Sequence, residues 1–208
     1  IPCSAAIGSR TGHRLKGYAF PARCCHCIDG ASAHLGIAMD GTIAVVFLLT
    51  GFFDMRENHC PTGCLAPRDE TPRLSFQVSD VEFQRDAIGG EVYLEYALPR
   101  ARGPFQPVAA LSMTTDDSAW IGYGIRGDVR FGQSNWYYEG ALIPGWYTAN
   151  SGPDLGGEIQ FRSTYAISYE FDNDVRVGLF LDHRSNGELE ERNPGLETYG
   201  LRVSIPLD

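Results

Sequence analysis

From Leu74 onward the chain consists of runs of about ten residues in which apolar and polar side chains alternate, broken by Gly, Asp, Asn and Pro. Successive side chains of an extended strand point to opposite faces, so such a run needs one apolar and one polar environment. The alternation is clearest in residues 158–171. There Ile159, Phe161, Tyr165, Ile167, Tyr169 and Phe171 share one face, and Gln160, Arg162, Thr164, Ser168 and Glu170 share the other. No amphipathic helical period competes with it. Candidate strands fall at 74–79, 91–98, 105–114, 119–129, 135–148, 158–171, 175–185 and 197–207. Eight is the smallest common strand number for membrane barrels, and an even number returns both ends of the sheet to one side. The pattern predicts an all-β fold, an eight-stranded antiparallel up-and-down transmembrane β-barrel.

Parity alone does not say which face is inside. In a lipocalin-like binder the apolar face would line the core, whereas in a membrane barrel it meets lipid and the charges fill the lumen. The second reading is favoured by the absence of cysteine beyond Cys64 and by aromatic residues suited to interfacial girdles: Trp120, Trp136, Tyr137, Tyr138, Trp146, Tyr147 and Tyr169. Pro144 is a misfit inside a strand because it lacks a ladder donor. Asp208 departs from the aromatic ending common in such barrels.

The front of the chain is different in kind. All six cysteines lie there, at positions 3, 24, 25, 27, 60 and 64. Their spacing lacks the two separated ligand pairs of a structural zinc site, and disulfides are open to them only if the segment is exported. Residues 42–53, TIAVVFLLTGFF, have the length of a signal-peptide apolar core, with a buried strand or short core helix as the alternative. The expected organisation is therefore an unstructured extension or misassigned start over 1–38, a signal-like segment and linker over 39–72, and the barrel over 73–208. Met39 is a candidate true start. The formal charge of −9 and a single lysine, Lys16, exclude nucleic acid as a partner, since phosphate neutralisation needs clustered cations.

Chemistry concentrates near the end. Of five histidines only His183 lies in the strand region, in His183-Arg184-Ser185-Asn186-Gly187, followed by Asn193-Pro194-Gly195-Leu196-Glu197. Positions i and i+2 of a strand share a face, so His183 and Ser185 are neighbours, and the intervening hairpin can return Glu197 to them. Ester cleavage by serine needs such a set: a hydroxyl, a base to take its proton, an acceptor to orient the base, and a donor for the oxyanion. Taken singly, these residues fit polar rim contacts and a turn equally well.

The joint pattern H-x-S-N, then N-P-G-x-E leading into the last strand, resembles the outer-membrane lipid A 3-O-deacylase family. The resemblance is sharp over 183–206 and extends only to strand rhythm elsewhere. It implies an outer-membrane serine esterase that removes the 3-O ester-linked acyl chain of lipid A in lipopolysaccharide and releases a 3-hydroxy fatty acid. By the same resemblance Ser185 is the nucleophile, His183 the base and Glu197 the acid, with Asn186 and Gly187 on the oxyanion side. Arg184 and Arg192 are candidate phosphate contacts, or alternatively surface ion pairs. No cofactor or metal is expected, and an oligomer is open. A non-enzymatic structural or adhesion barrel would share every strand feature and differ only at these residues.

Parity also predicts a direction. His183 and Ser185 share a face with Val175, Val177, Leu179 and Leu181, and Glu197 with Tyr199, Leu201, Val203, Ile205 and Leu207. If that face meets lipid, the site lies on the outer wall, toward the outer leaflet, and substrate enters laterally.

Overall fold

The computed structural model describes residues 41–207. The expectations for residues 1–38, Met39, Asp208 and the cysteines at 3, 24, 25 and 27 fall outside that range. The elements are helix α1 (Thr42–Asp54), then β1 (Pro67–Asp69), β2 (Arg73–Phe83), β3 (Asp86–Ala97), β4 (Arg100–Arg102), β5 (Gln106–Thr114), β6 (Ala119–Arg130), β7 (Trp136–Thr148), β8 (Ile159–Glu170), β9 (Arg176–Ser185) and β10 (Leu196–Pro206). The eight long strands close into an antiparallel barrel in the order β10-β2-β3-β5-β6-β7-β8-β9. The short strands β1 and β4 form a separate pair.

The expected architecture is the observed one, with differences that have local causes. The first hairpin is longer than the pattern suggested, running through Phe83 and resuming at Asp86. Its two-residue turn places Gln84 and Arg85 at φ 53° and 75°, the left-handed pair that such hairpins need, without the Gly or Asn that normally announces it. A register shift between Val81 and Glu82 further blurs the alternation there. Pro144 does sit within β7. Cross-strand pairing to β6 runs to Gly122–Gly145 and resumes at Ile125–Leu142, so the ladder is open where the proline donor is missing.

Side-chain direction settles the parity question. Val92, Ile121, Leu179 and Leu201 face outward and are more than half exposed, while Arg162 and Glu95 in the lumen are at most 1% exposed. A lipocalin-like interior is overturned by this arrangement, because the apolar set is on the outside. A network of arginines and carboxylates knits the lumen together. Glu91 lies 2.9 Å from Arg162 and 2.5 Å from Arg184; Arg162 also pairs with Asp182; Arg202 lies 2.7 Å from Glu95; and Arg126 lies 2.7 Å from Glu139. Arg162 also lies 4.2 Å from the ring centre of Tyr93. Charges taken out of water need such partners, and here they come both from neighbouring strands, as in Arg162–Asp182 and Arg126–Glu139, and from strands further round the barrel, as in Arg202–Glu95.

The aromatic residues divide between the two faces. Trp136, Tyr169 and Phe171 form an outward cluster with ring centres 5.3 and 5.2 Å apart, as an interfacial girdle requires. Trp120 and Tyr147, expected in a girdle, instead point inward. They pack with Ile143, Leu155 and Leu196 in an apolar cluster. The lumen is thus filled by side chains, and access to anything on the barrel is from outside.

The apolar run forms α1, which is apolar on every side. Ile43, Phe47 and Gly51 are buried against the barrel, and Val45, Leu49, Phe52 and Phe53 are exposed. It contacts β6, β7 and β8. Among the described residues no helix is long and apolar enough to cross a membrane. After α1 the chain makes further helical turns closed by a Cys60–Cys64 disulfide.

Candidate active site

The site lies where β8, β9 and β10 end beside two loops, 149–158 and 186–195. On β9 the inward positions are Arg176, Phe180, Asp182 and Arg184, so His183 and Ser185 take the outward parity. Cross-strand register then aligns three outward side chains in one row, with Ser163 on β8 opposite His183 and Glu197 on β10 opposite its other side. His183 Nδ1 lies 3.1 Å from Glu197 Oε1. Ser185 sits one outward position beyond, opposite Phe161. His183 is almost fully buried, whereas the Glu197 side chain is 30% exposed. The result is a buried imidazole gripped from the solvent side by a carboxylate.

The loop is shaped to permit this. Gly195 has φ 71°, and a Cβ there would stand 3.0 Å from His183 Cε1, so a glycine lets the backbone close over the imidazole. Asn186 organises the turn. Its backbone N–H donates to Asn193 Oδ1 (3.0 Å), and its amide group donates to the carbonyls of Leu155 (3.3 Å) and Arg192 (2.7 Å). Both amide hydrogens of Asn186 are committed to tying the two loops together, so its position on the oxyanion side is that of a scaffold. Gly187 lines the groove in front of Ser185.

The two arginines go elsewhere. Arg184, proposed as a phosphate contact, points into the lumen onto Glu91, because it has the opposite parity to its neighbours His183 and Ser185. Arg192 is exposed and pairs with Asp154 at 2.8 Å across the two loops.

Two polar groups escaped the sequence reading as site members. Ser163 interrupts the apolar face of β8 at the one position facing His183, and its hydroxyl donates to the His183 carbonyl at 3.3 Å. Asn193 lines the groove, and since its Oδ1 accepts the Asn186 N–H its amide nitrogen is the end left over. The break in the apolar alternation was the available signal for Ser163. For Asn193 it was the motif itself, read there only as a turn.

The groove holding these groups has a volume of about 400 Å³. Leu142 and Phe161 form its apolar wall, and Gly41 and Ala44 from the start of α1 face it. The Ser185 hydroxyl and a His183 imidazole backed by Glu197 therefore open on a groove of the outer wall that has one apolar side and includes Glu188 and Asn193 in its lining.

An apolar exterior, a charged closed lumen and a polar site on the lipid-facing wall define an outer-membrane β-barrel with an enzyme-like site. The family model for lipid A 3-O-deacylase (PagL) matches residues 83–206, and the chain belongs to that family of outer-membrane lipid A deacylases. The crystal structure of the outer membrane enzyme PagL superposes with a TM-score of 0.53 at 17% identity, covering 65% of this chain and 99% of that one. Neisserial surface protein A gives a TM-score of 0.46 at 12% identity, over 68% of this chain and 99% of that one. No curated protein sequence matches the chain.

Proposed function

We propose that the protein is a serine esterase that hydrolyses the 3-O ester-linked acyl chain of lipid A and releases a 3-hydroxy fatty acid. Ser185 attacks the ester carbonyl as His183 takes its proton. His183 then returns that proton to the departing sugar oxygen, and water attacks the acyl-serine with the same imidazole as base. Glu197 accepts the Nδ1–H of His183, which leaves Nε2 as the basic nitrogen and stabilises the imidazolium as it forms. The Gly187 backbone N–H and the Asn193 amide are the donors available to the oxyanion in front of Ser185.

The observation that carries this reading is the His183–Glu197 contact at 3.1 Å on the outward face beside Ser185, where His183 and Ser185 line a groove whose wall is formed by Leu142 and Phe161. The site end of the barrel carries the loops 149–158 and 186–195 beside the short turns 84–85 and 115–118, while the opposite end has the connections 98–105, 131–135 and 171–175 and both barrel termini. Outer-membrane barrels carry their longest loops outside, and the two longest here flank the site, so in this reading the site faces the outer leaflet, where lipid A of lipopolysaccharide enters sideways.

Mass spectrometry of lipid A from cells producing the protein tests the reading. Loss of one 3-hydroxyacyl group is expected. Unaltered lipid A alongside a barrel shown to be folded in the outer membrane would overturn it.

A further inference from the structure

We infer that α1 is the second wall of an acyl slot and that Phe47 is its floor, so that this helix sets the length of acyl chain the site accepts. The inference rests on the esterase reading above and adds a specificity device to it.

The groove beside Ser185 is bounded on one side by the barrel, through Leu142 and Phe161, and on the other by Gly41 and Ala44 of the helical segment. Small residues at these two positions, three apart on one helix face, leave the upper part of the cleft open. The lining of the groove ends at Ala44, Leu142 and Ser163, and Phe47, the next residue on that stripe, fills the gap between helix and wall below it. Its ring is 1% exposed and is seated over Gly140, where a Cβ would stand 2.6 Å from Phe47 Cδ2. Gly140 pairs with Gly127 across the β6–β7 ladder, and a Cβ on Gly127 would approach the same ring at 3.5 Å. Two outward glycines side by side make a dimple in the wall that the ring fills. Phe105 meets the ring edge-on at 5.9 Å. Below that point a void of only about 10 Å³ remains between helix and wall.

Lipid offers little hydrophobic drive for docking one apolar surface on another, so close approach through small residues is what holds such a helix in place. The dimple supplies that approach and fixes the depth of the floor. Ser185 is level with Phe161 and Gly140 with Tyr165, four residues further along β8. At the rise of a strand the seat of Phe47 lies about 13 Å below the level of Ser185. An acyl chain entering from Ser185 would run down the wall and stop at Phe47.

The test uses the full chain in detergent micelles with saturated acyl esters of increasing chain length. Wild type should show a sharp length optimum. Phe47→Ala should shift that optimum to longer chains, with at least about a 10-fold gain in kcat/KM for the longer ester relative to the wild-type optimum. Ala44→Phe should shift it to shorter ones. Gly140→Ala, which pushes against the ring, should alter the optimum in the manner of Phe47→Ala, while Val45→Ala on the lipid side should not. An unshifted optimum in Phe47→Ala, with folding verified, overturns the slot and leaves the esterase intact. Hydrolysis of no ester by wild type overturns the esterase reading itself. Intact-mass measurement of the outer-membrane protein gives an independent check: a mature chain beginning after Asp54 removes the helix and the inference with it.

Discussion

His183 and Glu197 are register partners across the β9–β10 ladder, and their side chains meet at 3.1 Å on the face of the barrel turned away from its lumen. A histidine buried on an outward face is not explained by the lumen's charge network, which is built from the opposite parity. Ser185→Ala should therefore abolish deacylation, by on the order of 10⁶-fold, while leaving the barrel folded. Lipid A mass spectrometry with heat-modifiable gel mobility reads both. Ser163→Ala, which removes the hydroxyl beside His183 but not the one in front of the groove, should retain most activity. The reverse outcome would move the nucleophile to Ser163.

In the proposed mechanism Glu197 does not react but orients and stabilises His183. Glu197→Ala should lower kcat by about 10⁴-fold, well short of the Ser185→Ala loss. Glu197→Gln should recover part of that, since an amide oxygen still accepts from Nδ1 but adds no charge to stabilise the imidazolium. Equal losses for Ser185→Ala and Glu197→Ala would contradict the assigned roles.

Gly195 offers a sharper probe, because it touches His183 without taking part in proton transfer. Alanine there meets both a left-handed backbone, costing roughly 1–2 kcal/mol, and the His183 ring at 3.0 Å from the new Cβ. The nearest place for the strain to go is the imidazole. Gly195→Ala should lower kcat at least about 10-fold with little change in KM, and the barrel should still fold. A fully active variant would show that the loop does not set the position of the histidine.

Much of this was legible in the sequence because a barrel strand writes its two environments in alternate letters. The parity of residues 158–171 and 197–207 separated the two faces of the sheet without saying which was the lumen, and the spacing of His183 and Ser185 put them on one face. What stayed illegible depended on partners across the sheet. Ser163 looks like an ordinary polar residue until β8 is placed beside β9. Trp120 and Tyr147 read as girdle aromatics because composition does not record that they point inward. The Gln84–Arg85 turn carries no glycine to mark it. The apolar run at 42–53 has a signal-like composition, and only the Gly127–Gly140 dimple reveals a surface on which it can dock.

Arg184 separates the two readings of a basic residue at the site. It neighbours Ser185 in sequence, so a lipid A phosphate contact was a reasonable expectation. In the fold it reaches inward, donates to Glu91 at 2.5 Å and lies 5.6 Å from the centre of the Trp120 ring. Glu91 is shared with Arg162, so removing Arg184 leaves a buried carboxylate with one cation where it had two. Breaking a buried pair by deleting one partner costs about 3–5 kcal/mol, since the charge left behind cannot return to water. Arg184→Met should therefore lower unfolding stability in detergent by an amount of that order. The ratio of kcat/KM for bisphosphorylated and monophosphorylated lipid A should stay at the wild-type value. Replacing Glu91 as well, in Arg184→Met with Glu91→Gln, should restore part of the lost stability by removing the stranded charge. A stable Arg184→Met variant that discriminates less between the two lipids would instead place the guanidinium on the substrate.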